Sequence, residues 1–308
     1  MSRSIGILIG YAADQALGDP QRWHPVAGFG QAASALEQRL YADSRARGIV
    51  YAALLVGSAA AAGVLAERAS RRGPFAHTAV TAAATWTVLG GRSLARESTA
   101  IAAHLEADDL PGARQRLTHL VARETDELSP DEVARAVVES VAENTSDAVV
   151  APLFWGAIAG VPGLLGYRAA NTLDAMVGYK NPRHRNFGWA SARLDDVLNL
   201  PAARVGGALV AVAEPTRAGE ALRVWRRDAS AHPSPNAGVV ESAFAGALGV
   251  RLGGTNTYHG VVEHRVLMGD GPSPTDADVG RTNRLAAKVG LTAAIAAAAM
   301  SHAVRRAR

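Results

Sequence analysis

Cysteine is absent from the 308 residues, which excludes disulfides, thiolate nucleophiles and cysteine-bound zinc. No basic block exists either. The net charge of +4 comes from scattered arginines, so nucleic acid is not expected as a partner. The chain has no Gly-x-x-x-x-Gly-Lys-Ser/Thr loop to cradle a nucleotide, no His-Glu-x-x-His zinc site and no Asp-Gly-x-x-Ala-Arg pattern of CDP-alcohol phosphotransferases. Internal repeats, low-complexity tracts and β alternation are missing. No small-residue cleavage site follows a long apolar segment before Asp14, so the first apolar element is expected to stay in the mature protein.

What the chain does have is long stretches without charge. Residues 49–66, 73–91 and 148–167 contain no Asp, Glu, Lys or Arg, and a spanning helix needs about 20 such residues. Weaker candidates stand at 4–13 and at 285–303, the latter interrupted by Lys288. Polar stretches separate them at 14–48, 92–147, 168–204 and 214–284. The expected fold is mainly α: a single polytopic integral membrane domain over 1–308, with long polar helical loops. A soluble helical protein with alanine-packed cores is the plainer alternative. The run at 148–167 carries Pro152 and Pro162 among four glycines, which suits a broken or re-entrant hairpin better than a straight span.

Ser129-Pro130-Asp131-Glu132 is a helix start, with Ser129 as cap, Pro130 in the first turn and Glu132 completing a capping box. Val133, Val137 and Val141 then recur on one face, and Glu139, Glu143 and Asp147 recur on the opposite one. Acids stacked at that spacing repel by about 0.2–0.5 kcal/mol per pair unless a cation lies between them.

Charged groups crowd the two sides of the 148–167 run. Beyond it stand Arg168, Asn171, Asp174, Lys180, Arg193, Asp195, Asp196 and Arg204. Adjacent carboxylates with Asn nearby suit Mg²⁺, which takes a few hard oxygen ligands and keeps water or phosphate elsewhere. The cations Arg168, Lys180, Arg193 and Arg204 suit phosphate oxygens. A salt-bridged surface loop explains any one pair, but less readily the ensemble. Earlier in the chain, His24 follows a turn-rich segment as a ligand contact or a helix cap. Later, Ser234-Pro235-Asn236-Ala237-Gly238 is turn chemistry first.

Taken together, these motifs resemble the CobD/CbiB family of membrane adenosylcobinamide-phosphate synthases in cobalamin biosynthesis. The matching text is Leu17-Gly18-Asp19-Pro20 with His24-Pro25-Val26, then Ala142-Glu143-Asn144-Thr145-Ser146-Asp147, and Tyr167-Arg168 with Asn171-Thr172-Leu173-Asp174. It continues through Gly178-Tyr179-Lys180-Asn181, Phe187-Gly188, Ala192-Arg193-Leu194-Asp195-Asp196, Pro201-Ala202-Ala203-Arg204 and Ser234-Pro235-Asn236-Ala237-Gly238. The order is the family's, from about residue 5 to 300. Leu198-Asn199-Leu200 departs from its usual aromatic or Ile, and the apolar segments are richer in Ala.

The resemblance implies an ATP-dependent amide ligation that joins the f-propionate of adenosylcobyric acid to aminopropanol or its O-phosphate. The carboxylate would be activated as an acyl phosphate. On side-chain chemistry, Asp195 and Asp196 would hold Mg²⁺, with Glu143 or Asp147 as further ligands. Arg168, Lys180 and Arg193 would neutralise the γ-phosphoryl charge, and Asp174, Glu241 or His24 would take the proton of the incoming ammonium. Arg204, Asn171, Ser234 and Asn236 complete the expected substrate contacts. Expected partners are the corrinoid, the amino alcohol or its phosphate and membrane lipid, with other late corrinoid enzymes or a second copy as further possibilities. The expected location is the cell membrane, crossed more than once, with the active-site loops on the cytoplasmic side where ATP is supplied. The arginines do not fix that orientation, because Arg68, Arg71 and Arg72 on one side of the first hairpin nearly balance Arg45, Arg47, Arg92 and Arg96 on the other. A corrinoid transporter and a non-catalytic scaffold are the competing classes.

Overall fold

A computed structural model describes residues 1–19, 24–258 and 261–306. Its helices in chain order are α1 (Ser2–Leu17), α2 (Pro25–Leu40), α3 (Arg45–Ser70), α4 (Pro74–Val88), α5 (Gly91–Glu106), α6 (Leu110–Leu117) and α7 (Pro130–Thr145). After a π-helical turn at Ser146–Val150 come α8 (Ala151–Ala159), α9 (Val161–Val177), α10 (His184–Phe187), α11 (Trp189–Ala213), α12 (Ala218–Asp228) and α13 (Ala237–Leu248). An antiparallel hairpin, β1 (Leu252–Tyr258) and β2 (Val261–Met268), precedes α14 (Asp276–Arg306). The fold is mainly α, as the sequence indicates. The chain forms two compact units: Met1–Gly90 with Asp147–Asn199 and Ala293–Arg308, and Gly91–Ser146 with Leu200–Thr292.

In the first unit α3 packs on α9, and α1 on α4. Tyr51, Leu173, Val177 and Phe187 form a core there, with the Tyr51 and Phe187 ring centroids 5.0 Å apart. Only 22% of the most apolar window of α3 is buried, so Val50, Leu54 and Leu65 face outward. A long helix that is apolar all round yet little buried matches lipid as its surroundings.

Among the described residues three helices are long and apolar enough to cross a membrane: α3, α11 and Asp276–Val304 within α14. The first and last cover the expected segments 49–66 and 285–303. The middle one lies largely in a stretch expected to be polar: its charges gather in the first turns at Arg193, Asp195 and Asp196, leaving Arg204 alone among apolar residues after them. The expected segment at 73–91 is α4, whose 15 residues reach about 22 Å, short of the roughly 30 Å hydrocarbon core. The segment at 4–13 lies within α1, a helix of 16 residues.

The run at 148–167 breaks at Gly160, whose φ of 75° and ψ of −148° suit glycine alone. The nine residues of α8 then pack against α9 as a short helical hairpin.

In the second unit α5, α6 and α7 enclose Ile101, Leu117, Val133, Val137 and Val141, with Val279 from the start of α14. The capping box is formed: the Glu132 N–H donates to Ser129 Oγ at 3.4 Å and the Ser129 N–H to Glu132 Oε2 at 2.9 Å. Helix α7 is buried on both faces over residues 133–142, which takes Glu139 of the acidic stripe out of solvent, while Glu143 is exposed and Asp147 half-buried. Glu139 is buried at 6% exposure, close to the valines behind it. The hairpin was not anticipated. Its strands lack a clean apolar alternation, and a register shift lies between Leu252 and Gly254. Side-chain hydrogen bonds tie it down instead, because Arg135 donates to the carbonyls of Gly253 and Thr255.

Candidate functional site

Two polar centres stand out, one within each unit. In the first, α9 presents Arg168, Asn171 and Asp174 at three-residue spacing, which keeps them on one side of the helix. An Arg168 guanidinium nitrogen donates to Asn171 Oδ1 at 3.3 Å, and Asn171 Nδ2 donates to Asp195 Oδ1 at 3.3 Å. Asn199, one turn further along α11, donates to Asp195 Oδ2 at 2.9 Å. The Tyr167 hydroxyl lies 2.8 Å from Asn199 Oδ1 and 3.1 Å from the Asp147 carbonyl, sharing its one hydrogen between them. Asp19 and Asp147 are close enough to act on the charge of Arg168. The stretches at 167–171 and 195–199 and the carbonyl of Asp147 are thus joined in one network around the buried carboxylate of Asp195.

Among the remaining candidates in this unit, Asp196 turns away from Asp195, as consecutive helical residues must, and stands half-buried 3.5 Å from the exposed Arg193. Lys180 is exposed beside a cleft shared with Asp43 and Arg185. Asp174 is half-buried in the last turn of α9. His24 caps α2: its Nδ1 accepts from the Val26 N–H at 3.1 Å, which leaves a neutral ring's proton on Nε2. That lone pair is therefore occupied, and the cap role fits better than a base. Pro20, part of the motif before it, lies outside the described residues.

The second centre surrounds a cavity of about 250 Å³. Glu139 Oε2 accepts from Arg123 at 2.5 Å and Oε1 from the Gly253 N–H at 2.8 Å, while Arg135 stands 3.6 Å away. Arg123 also donates to Asn256 Oδ1 at 2.5 Å. These two arginines supply the cation that the acidic stripe requires. Glu143 and Glu241 line the same cavity, and His232 Nε2 is 3.9 Å from Glu241. Burial, reinforced by the charges of Glu139 and Glu143, pushes the Glu241 carboxyl well above the usual glutamate range. Burial likewise pushes His232 down.

The Ser234–Gly238 turn shapes this wall. The Ser234 N–H donates to His232 Nδ1 at 3.1 Å, and Ser234 Oγ accepts from the Ala237 N–H at 3.1 Å. Gly238 is required because a Cβ there would lie 2.5 Å from the Cβ of His232. Asn236 Oδ1 accepts from the exposed Arg204 at 2.9 Å. The Ser234 hydroxyl therefore serves the turn, and the Asn236 carbonyl oxygen holds Arg204, another of the expected substrate contacts.

Fit to a metal and a phosphate can be judged from these groups. Among the described residues no three or more His, Asp or Glu side chains form a metal-holding group. Asp147, Asp195 and Asp196 belong to the first unit and Glu143 to the second, and they do not form a ready-made cage. Mg²⁺ held with phosphate commonly needs only one or two carboxylates. Asp195 fits that mode, since a carboxylate accepting two hydrogen bonds keeps lone pairs to spare. Arg168 suits a phosphate, because its Nε is buried without a hydrogen-bond partner. Sequence reasoning assigned no role to Tyr167, Asn199, Arg123, Asn256 or Arg265, the last of which lines the second cavity. Tyr167 stands inside a quoted motif and Asn199 in the stretch that departs from the family, whereas the others carry no local signal.

Comparisons with known proteins agree with the motifs. Residues 7–286 match the family described as CobD/Cbib protein. The chain is 50% identical over 299 residues to the cobalamin biosynthesis protein CobD of Mycobacterium tuberculosis (strain CDC 1551 / Oshkosh), covering 96% of this chain and 95% of the relative. It is 46% identical to the protein of that name from Geobacter metallireducens over 89% of each chain. It is 43% identical to the one from Chromobacterium violaceum over 92% of each. No solved structure matches it.

Proposed function

The chain belongs to the CobD/CbiB family of cobalamin biosynthesis proteins, and on that premise we propose that it is the ATP-dependent ligase joining adenosylcobyric acid to aminopropanol or its phosphate. The observation that carries this reading is the hydrogen-bonded chain Arg168–Asn171–Asp195–Asn199 in the first unit. It sets a buried carboxylate one side chain away from a half-buried cation whose Nε–H is buried and unused, the pair a magnesium-bound phosphate requires.

Mg·ATP supplies the phosphoryl group that makes the corrinoid carboxylate open to attack by an amine. Asp195 would hold the metal, and its two amide donors fix the orientation of its oxygens. Arg168 would take phosphate oxygens through Nε, with the exposed Lys180 and, on leaving Asp196, Arg193 reaching in from the surface. Asp174 is the base candidate on the same helix, and Glu241 the one in the second unit. Glu241 holds its proton strongly, so it accepts one from the ammonium only after the cavity's charge changes on binding. The three apolar helices would seat the enzyme in the cell membrane, with its polar segments on the ATP-supplied face.

A corrinoid carrier is the second reading. It is favoured by the position of Asp195 on α11, because acids on membrane-crossing helices mark substrate paths. ADP release that requires corrinoid and amine together identifies the ligase; corrinoid binding without ADP release identifies the carrier.

A further inference from the structure

A third polar group, remote in sequence from the motifs above, surrounds a cavity of about 560 Å³ within the first unit, formed by the starts of α1 and α4 and the ends of α3 and α14. Its centre is Glu67, buried at 4% exposure. One carboxylate oxygen accepts from Arg3 at 2.8 Å and from Arg71 at 3.0 Å, and the other accepts from the Val161 N–H at 3.0 Å. His77 stands at 3.8 Å, held by Ser2 through its other ring nitrogen. Two arginines against one saturated carboxylate leave a surplus positive charge on the wall.

Three further observations point to an anion. Ser301 lines the cavity at 3% exposure, and its hydroxyl has no hydrogen-bond partner. A buried hydroxyl without a partner costs about 1–3 kcal/mol, so one aimed into a cavity marks a place for a ligand atom. Gly73 and Pro74, also on the wall, open α4, and no side chain caps that helix. Pro74 has no N–H and the His77 N–H donates to the Gly73 carbonyl, so the N–H groups of Phe75 and Ala76 are the ones left for a ligand. The exposed Arg71 side chain reaches in from the rim, able to hold a second partner besides Glu67.

We propose that this cavity binds the phosphate of an anionic phospholipid headgroup. The setting selects a lipid over free phosphate. Helix α3 ends here with Leu65 exposed, Arg68 and Arg72 stand exposed on either side of Arg71 in the sequence, and Phe75, at 90% exposure, projects from the first turn of α4. An exposed aromatic beside arginines at the end of a long apolar helix is the composition of a membrane interface. The acyl chains would lie along the outward apolar face of α3, and the phosphate would meet Arg71, Ser301 and the α4 N-terminus.

Native mass spectrometry of the full chain in detergent tests this, with phosphatidylglycerol or phosphatidylcholine of the same acyl chains, each with and without millimolar inorganic phosphate. The expected result is preferential retention of phosphatidylglycerol, unaffected by phosphate. Retention should fall about tenfold in Arg71→Gln and about threefold in Ser301→Ala. The serine variant removes only a hydroxyl without a partner, so its folding is not at risk. Equal retention of the two lipids, or undiminished phosphatidylglycerol in both variants, overturns the proposal. Displacement of the lipid by inorganic phosphate overturns the lipid assignment and makes the cavity a free-anion site.

Discussion

Asn171 on α9 donates a hydrogen bond to the buried carboxylate of Asp195 on α11, 24 positions later in the chain. The bond fixes where that carboxylate points, and with Asn199 on the other oxygen it leaves Asp195 a single orientation.

Removing the charge while keeping the shape should therefore stop the reaction, at the cost of one of the two hydrogen bonds to that side chain. Asp195→Asn is expected to lower ATP-dependent turnover at least about 100-fold, with unchanged accumulation in membranes. Asn171→Ala, which loosens the carboxylate, is expected to cost about 10–100-fold. Single-turnover assays on both variants check this, and near-normal rates in Asp195→Asn would make the residue structural.

The buried Arg123–Glu139 pair makes a stability prediction. Arg123→Leu strands Glu139 with its charge only partly met by Arg135 and the Gly253 N–H, and is expected to destabilise by about 3 kcal/mol. Arg123→Leu combined with Glu139→Leu should recover much of the loss. Denaturant midpoints of the single and double variants give the comparison.

Much of this was legible in the sequence and some was not, for physical reasons. The Ser129 cap and the valine stripe of α7 are local patterns, and both form. The break near the prolines at 148–167 is visible because Pro and Gly act on their own backbone. Glu139 is different: its partners Arg123 and Gly253 lie 16 and 114 positions away, and no periodicity announces such contacts. Helix α11 was hidden because charges at its start mask the apolar run that follows, and the β1–β2 hairpin because hydrogen bonds to its backbone replace alternation. Asp195 and Asp196 look like a pair in sequence, yet a helix points neighbours apart.

Glu241 makes the second unit sensitive to pH. Its folded carboxyl titrates well above the ordinary value of 4.5, mainly through burial, then through Glu139 and Glu143, with Arg123 and Arg265 opposing. The folded state thus holds a proton that the unfolded chain has released. This contribution is fully present below 4.5 and is lost as pH rises through the folded value. Thermal midpoints of the native protein should decline over that range, and Glu241→Gln should flatten the decline. An identical slope in both would contradict it.

Gly160→Ala probes the hairpin break. The substitution forces a side chain into backbone space reserved for glycine and drives its Cβ onto Glu67 and Arg3. A loss of about 1–3 kcal/mol from the backbone alone is expected, read as a lower thermal midpoint with the Asp195 network left in place. No change would mean that α8 and α9 can join by another turn.

The most direct measurement of the central claim is mass analysis of the corrinoid after the purified protein, reconstituted in lipid, is incubated with adenosylcobyric acid, Mg·ATP and aminopropanol or its phosphate. The account predicts a corrinoid heavier by the amine less one water, with ADP in equal amount, absent in Asp195→Asn. Bound but unaltered adenosylcobyric acid, with both amines and intact ATP, would contradict it.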